Sequence, residues 1–557
     1  MTTAGAGNQH PTVVPTGFRG IFRDDDLARA VYSEAAGIAR AMPTAVAVPA
    51  DVEDVAALVK WAAETRTPLI PRGSGSSMAG GAVGSGVVVD LSRLNHLGRI
   101  DEKAQTVWAE PGVLWSTLDV AVRRRGLRLP VDPSSGSFCT LGGMVSTNAA
   151  GARSLRYGSM RMWVNALDCV FSDGDRATIT RGEEPPRRVE PIRRFLREGH
   201  AAIVSSDTRH PARHKDVRKE SSGYGIHQYA DKADLIELLV GSEGTLAIIV
   251  GVQLRLAPVP AATSSVLGSF GSLGDATTAA GKAVEVEASA CELLDRTFLD
   301  FAATAPNADE RFLGTIKGAE AILLAEVEGS SKEEAANKAE ELAAAFRAAG
   351  ATEVQVALTP EAEEKIWELR HAASPILATI EHTISMQFIE DGAVPLAKLP
   401  DYVQGVRQAL AVRGMGGAIF GHAGDGHIHV NPLVDVRKPD WRGGMQLLLD
   451  DVVALTVRLG GTLAGEHGDG KLRAPLLRRV WHKDTLQAFE VLKKSFDPDN
   501  IFNPGSKIPL PGQKPLGDIK YDPSLPPLPP EARSALDDVV KRRAYNEFRL
   551  SLIPASS

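Results

Sequence analysis

PRGSGSSMAGGAVGSG, residues 71–86, sets six glycines between two short apolar runs, TPLIP (67–71) and GVVVDLS (86–92). Both runs have the length and composition of strands. The preceding stretch VEDVAALVKWAAE (52–64) has helical spacing. A strand, a glycine-rich loop and a second strand let backbone N–H groups turn toward one point, which is what a phosphate site needs. The loop is not the GxGxxG of a Rossmann unit, because Met78 stands at the third glycine position, and it lacks the GK[ST] ending of a P-loop. By itself it serves equally well as a structural turn.

The rest of the chain narrows the choice. With 557 residues it is long enough for two or three domains. Hydrophobic content of 43% and charge of 24% fit a soluble globular protein. A net charge of −7 argues against a nucleic-acid partner. Cys139, Cys169 and Cys291 form no CxxC, which excludes a disulfide framework, an iron–sulfur cluster or a cysteine zinc site built from this chain. Reduced thiols fit the cytosol. The first residues lack a signal peptide's basic start and apolar run, and no apolar stretch reaches ~18 residues. A cytoplasmic protein is expected, with attachment to a membrane surface rather than a span as the variant.

The chain divides as follows. Residues 1–40 form an N-terminal arm, loose over 1–17, and 41–260 form the first domain, closing near LAPVPAATSS. Residues 261–475 form a second domain, where AEAILLAEVEG and TEVQVAL read as strands, and KEEAANKAEELAAAFRAAG and PEAEEKIWELRHAA as helices. This patterning predicts an α+β sandwich with helices on one face of the sheet. Residues 476–510 return to the first domain, and 511–557 form a proline-rich linker feeding a last helix over about 531–550.

Two further small-residue stretches accompany the first loop: PVDPSSGSFCTLGGMVSTNAAGARSLRYGSM (130–160) and GSEGTLAIIV (241–250). Their density of small side chains implies something large lying against the backbone. Together the three resemble the FAD-binding domain of the vanillyl-alcohol oxidase and para-cresol methylhydroxylase superfamily, over roughly residues 40–510. The resemblance implies a two-subdomain FAD-binding domain plus an α+β substrate (cap) domain with an antiparallel sheet. It implies that Pro71, Arg72, Gly73, Ser74, Gly75, Ser76 and Ser77 hold the FAD pyrophosphate. Pro133, Gly142, Gly143, Thr147, Asn148, Ala150 and Gly151 would line the ribityl chain and flavin ring. Glu243, Gly244 and Ile248 would support the adenine side, and Asn503, in FDPDNIFNPGSKIP, would approach the flavin. No histidine stands in the first loop, so the FAD implied is non-covalent.

GHAGDGHIHVNP (421–432) concentrates three of the chain's 13 histidines. Read as two strands turning at Gly424–Asp425, it places His422 opposite His427, with His429 and Asn431 continuing one face. Ile428 and Val430 then point into a core. Glu466, in GEHGDG, adds a carboxylate. Imidazoles plus one carboxylate form an open site for a divalent metal, zinc foremost, and buried hydrogen-bonded histidines are the other reading. These stretches resemble the D-2-hydroxy-acid dehydrogenase branch of the superfamily, which includes D-lactate and D-2-hydroxyglutarate dehydrogenases and the glycolate oxidase flavin subunit. The resemblance implies His422, His429 and Glu466 as metal ligands and leaves His427 at a variable position. It also assigns functional roles to Asn431 and His467, and makes Arg370 the anchor of the substrate carboxylate.

The expected reaction is oxidation of a small D-2-hydroxy acid, D-lactate-like, to the 2-oxo acid, with a metal chelating the substrate and hydride passing to flavin N5. His467 takes the hydroxyl proton or supports a ligand. Electrons then leave to a separate acceptor, a quinone, a carrier or an iron–sulfur protein. VRKESSGYGI (217–226) resembles a flavin-proximal segment of dehydrogenases that work with such modules. A homodimer is allowed. The alternatives are a phenolic alcohol oxidase or alkyl-dihydroxyacetonephosphate synthase-like flavoprotein, a non-redox metal hydrolase, and a non-catalytic flavin-binding subunit.

Overall fold

The computed structural model describes residues 14–209, 214, 216–303, 314, 316–376 and 382–555. The opening loop lies where the sequence puts it, between strands Leu69–Arg72 and Val87–Asp90, which pair in parallel. Ala45–Val48 flanks Val87–Asp90, also in parallel, and the crossover from Ala45–Val48 to Leu69–Arg72 is the helix Val52–Thr65. Asp51 caps that helix by accepting from Asp54 N at 3.0 Å, and Val55, Leu58, Val59 and Ala62 pack onto the sheet. Strand Ile21–Arg23 adds an antiparallel edge, so the expected arm is built into this sheet from residue 21 onward. Residues 1–13 of the arm lie outside the described residues.

A second, antiparallel sheet carries five strands in the order Leu97–Asp101, Thr106–Ala109, Ile248–Arg255, Val164–Val170, Arg176–Thr180. Arg153 and Ser154, which follow the helix Leu141–Thr147, reach Glu326 and Asp425 in the region of a third sheet.

The third sheet begins with the strand Ala262–Phe270. It is antiparallel and runs Ala351–Ala357, Ala262–Phe270, Ala321–Gly329, Ala290–Asp295, Gly416–Gly421, His427–Val434, Ile384–Ser385. Alternation along the strands separates two faces. Val266, Leu323, Leu293, Ile419, Ile428 and Val430 join the main core, under helices Leu273–Glu285 and Leu399–Val412. The opposite face was expected to lack helices. Instead Phe298, Leu299, Ile366 and Leu369, from Arg296–Ala303 and Pro360–Ile376, cover its end against Leu267, Leu294 and Leu324. On the same face His429 and Asn431 line the cavity shared with the glycine-rich loops, while Phe420 packs on Phe298 and Glu292 meets Arg370 of the covering helix.

The C-terminal linker over 511–529 is mostly turns and bends rather than an extended run, and the last helix spans Pro530–Arg542 and stops there. Arg543 takes the left-handed conformation (φ 55°), which ends the helix, and a 3-10 turn follows at Arg549–Leu552. No described helix is long and apolar enough to cross a membrane.

Candidate active site

The three glycine-rich stretches converge on one cavity of about 1490 Å³, larger than the ~300–1,000 Å³ common for drug-sized ligands. The first loop is held from behind. Arg72 donates to the carbonyls of Tyr32, Glu34 and Ala82, and the carbonyls of Gly75 and Ser77 accept from Ala36 N (2.9 Å) and Gly37 N (3.1 Å). The backbone N–H groups of Ser74–Ser77 have no protein acceptor among the described residues, which leaves a row of donors on the cavity side. Such unspent donors fit a diphosphate. A Cβ on Gly73 would lie 2.2 Å from Thr140 Oγ1, so the first and second loops touch only because that residue is glycine.

In the second stretch Thr140 caps the helix Leu141–Thr147. Pro133, Gly142, Gly143, Thr147, Ala150 and Gly151 line the cavity, as do Pro71 to Ser77, Glu243 and Gly244. Three expected contacts are not part of its wall. Asn148 closes the helix in the left-handed region and accepts from Arg161 N at 2.9 Å. Ile248 is buried in the core between the sheets. Asn503 donates to the carbonyls of Gly81 and Glu243, both at 2.9 Å, and accepts from Lys471. These three support the loops from outside. Glu243 lines the cavity, but its carboxylate accepts from Asp469 N (2.7 Å) and Gly470 N (2.9 Å), tying the GEHGDG segment to the third glycine-rich stretch.

At the cavity's cap end the histidine segment folds with a difference. The turn is a 3-10 turn over Ala423–Asp425 rather than a two-residue hairpin, because Gly426 takes φ +68° and Ser154 Oγ donates to Asp425 Oδ2 at 2.6 Å. Pairing of Phe420 with His429 and of Ala418 with Asn431 still puts His429 and Asn431 on the cavity face. His422 follows the end of the partner strand.

Glu466 Oε1 stands at the centre: 3.0 Å from His422 Nε2, 3.3 Å from His429 Nε2 and 3.9 Å from His467 Nε2. His429 Nδ1–H donates to the Glu390 carbonyl at 2.8 Å, and His422 Nδ1 to Glu292 Oε1 at 2.5 Å. Both anchors fix the tautomer that leaves a lone pair on Nε2. Two imidazole lone pairs and a carboxylate facing one point are a cation's donor set. His427 lies in the same cluster, within 4.8 Å, but its Nε2 bonds Asp391 Oδ1 at 2.9 Å. Burial opposes charge on Glu466, yet Lys219 and His422 outweigh it and hold the carboxyl well below the usual range.

Several residues of this site escape sequence reading. Glu292 also accepts from Arg370 Nε, so one buried carboxylate orients His422 and the expected substrate arginine. Lys219 donates to Glu466 Oε2 at 3.0 Å and to the Gly151 carbonyl at 3.2 Å, bridging the donor set and the second loop. Asp391 accepts from Glu466 N (3.2 Å) and His467 N (2.9 Å), and Glu390 pairs with Arg473 and His467. Glu292 had one signal, an acid inside the apolar run ACELLD. Lys219 lies in VRKESSGYGI, which the sequence already singled out.

Residues 43–180 match the FAD binding domain family, and residues 259–506 match the C-terminal domain of FAD linked oxidases. Glycolate oxidase subunit GlcD of Bacillus subtilis is 30% identical over 489 residues, 87% of this chain and 93% of that protein. D-lactate dehydrogenase of Anaerostipes hadrus is 29% identical over 488 residues, 85% of this chain and 91% of that protein. Among solved structures, 4-ethylphenol oxidase of Gulosibacter chungangensis superposes with a TM-score of 0.65 at 16% identity, over 87% of this chain and 94% of that one, a likeness of fold.

Proposed function

The chain belongs to the FAD-linked oxidases, oxidoreductases of hydroxy acids on a two-domain vanillyl-alcohol-oxidase-type fold, and we propose that it oxidises a D-2-hydroxy acid of D-lactate type to the 2-oxo acid. The observation that carries this reading is the convergence of His422 Nε2, His429 Nε2 and Glu466 Oε1 on the cavity that the glycine loops line.

In this reading residues 71–77 and 133–151 would hold FAD non-covalently, which would supply the hydride acceptor for the Cα hydrogen, and His422, His429 and Glu466 would hold a divalent metal, zinc foremost, which would supply Lewis-acid polarisation of the hydroxyl. Arg370 receives the substrate carboxylate. Its Nε is engaged by Glu292 and its guanidinium lies 5.5 Å from the centre of the Phe420 ring, and its two Nη groups, which pair with no acceptor among the described residues, would form the bidentate fork. Asn431 faces the same space and orients the substrate oxygens.

His467 removes the hydroxyl proton. Burial opposes its charge, but Asp391 and Glu390 prevail and raise it to about 9. Without a cation the ring therefore keeps its proton at neutral pH. A dication on the adjacent donor set would repel that proton and free the ring to act as a base. The residues that would hold the metal would thus also prepare the base.

The electrons pass to a separate acceptor, a quinone, a carrier or an iron–sulfur protein, since Cys139, Cys169 and Cys291 are each buried and free. The test is anaerobic. Yellow protein is mixed with D- and L-2-hydroxy acids while the flavin absorbance is followed. Bleaching by D-acids alone is expected, and failure with every D-acid in metal-replete protein would overturn the proposal.

A further inference from the structure

Residues 507–557 lie beyond the region matched to the FAD-linked oxidase family. This tail returns to the first domain in register. Arg40 N donates to the Asp518 carbonyl and Lys520 N to the Ile38 carbonyl, both at 2.9 Å. Leu528, Ala532, Leu536, Leu550 and Ile553 are buried with Tyr32, Val46 and Val88 on the first sheet. Arg533 pairs with Glu34 at 3.0 Å. The tail is thus anchored by apolar burial and ion pairing against the same segment that backs the first glycine loop.

What the anchoring presents is specific. Tyr545 and Arg543 line the cavity beside Ser134–Phe138 of the second glycine-rich stretch. Phe138 and Tyr545 have ring centroids 5.2 Å apart. The Arg543 guanidinium lies over Phe138 at 5.3 Å, and that of Arg549 over Tyr545 at 5.5 Å. The four side chains form a cation–ring–ring–cation run. Arg543 makes no ion pair with a carboxylate among the described residues, and burial lowers its pKa with only Tyr545 opposing. Arg549 is buried, and its Nε and Nη1 find no acceptor. A half-buried Arg543 at the cavity wall, with two aromatic faces beside it and the buried Arg549 behind them, is matched to a ligand that is flat and anionic.

The ligand of that cavity with both properties is a dinucleotide. Resting on the FAD reading above, we infer that the C-terminal tail is part of the cofactor site: Phe138 and Tyr545 pack against the adenosine, and Arg543 pairs with the diphosphate. The tail is the outer wall of the cofactor channel, and the N–H row of Ser74–Ser77 is its inner counterpart on the same phosphates. The cofactor is held from a segment outside the matched family domains.

The test uses the full chain with Arg543→Met, Arg543→Lys and Tyr545→Ala. Release of FAD on dilution is followed by the recovery of free-flavin fluorescence. Binding of ADP and of riboflavin to the flavin-free protein is measured by calorimetry. Arg543→Met and Tyr545→Ala are expected to release FAD about tenfold faster and to bind ADP about tenfold more weakly, with riboflavin affinity unchanged. Arg543→Lys, which keeps the charge and the packing stem, recovers most of the loss and rules out misfolding. FAD release and ADP affinity within about twofold of the unaltered protein in both variants would overturn the inference. Equal weakening of ADP and riboflavin would also overturn it, because a general disturbance of the cavity has that signature. An unaltered protein that takes up no FAD would instead remove the functional reading on which this one stands.

Discussion

Glu292 holds His422 in place: its Oε1 lies 2.5 Å from His422 Nδ1, while its other oxygen accepts from Arg370. One carboxylate from the middle of a strand therefore sets both the His422 tautomer and the arginine. Burial works against charge on Glu292, but His422 and Arg370 keep it far below the usual carboxyl range. Glu292→Gln keeps the shape and removes the charge. It should weaken metal affinity roughly 10–100-fold, measured by competition with a chromophoric chelator. It should also raise KM for the hydroxy acid, because Arg370 loses its orienting partner.

His429→Ala removes one of the two Nε2 lone pairs on the donor set and leaves the Glu390 carbonyl without its imidazole partner. Purified variant protein is expected to carry well under a tenth of the metal of the unaltered chain and to keep its flavin. Elemental analysis alongside the flavin spectrum checks both. Full metal content with full turnover would contradict the ligand assignment. Treatment of the unaltered protein with a chelator should likewise abolish turnover, and zinc or another divalent ion should restore it.

Gly73→Val forces a side chain onto Thr140 Oγ1, which a Cβ alone would approach to 2.2 Å. Thr140 is the cap of the following helix, so the collision opens the gap between two cofactor loops. The variant should purify nearly colourless, at under about a tenth of normal flavin occupancy, with destabilisation of roughly 1–3 kcal/mol on thermal unfolding.

Asp295 supplies a pH-dependent test away from the metal site. Burial raises its carboxyl to about 7, against the N–H groups of Phe298 and Ile419 and the charge of Arg407. The folded chain thus keeps a proton that the unfolded chain releases near pH ~4. The stability this contributes is complete below pH ~4 and is lost as pH rises through about 7. Asp295→Asn, which still accepts from Phe298 N, should be more stable than the unaltered chain at pH 8, by on the order of 3 kcal/mol, and no more stable at pH 4. Denaturant unfolding at the two pH values checks the difference.

The glycine loops and the histidine strand were legible for a shared reason: their geometry is local. A loop that must approach another backbone needs glycine at Gly73, and a strand that faces a cavity must alternate, as His429 and Asn431 do around Val430. Glu292 and Lys219 were not legible, because nothing near them in the chain shows what they meet. Glu292 finds His422 across 130 positions, and Lys219 finds Glu466 across 247. Asn148, Ile248 and Asn503 sit inside motif stretches, yet their side chains turn away from the cavity to accept from Arg161 N, fill the core and brace two carbonyls. The last helix was read too long because a left-handed Arg543 leaves no mark in composition.

The 3-10 turn between Phe420 and His429 also fixes a length. Side chains along the returning strand alternate between cavity and apolar core, so adding or deleting one residue in Ala423–Gly426 would swap the two sets. Imidazoles would be driven into the packing under Leu273–Glu285, and Ile428 and Val430 would be turned toward solvent. Substitutions here can be absorbed one at a time, whereas any change in residue count has to occur in pairs. Among relatives that share this chemistry, the spacing of the segment should accordingly vary less than its letters.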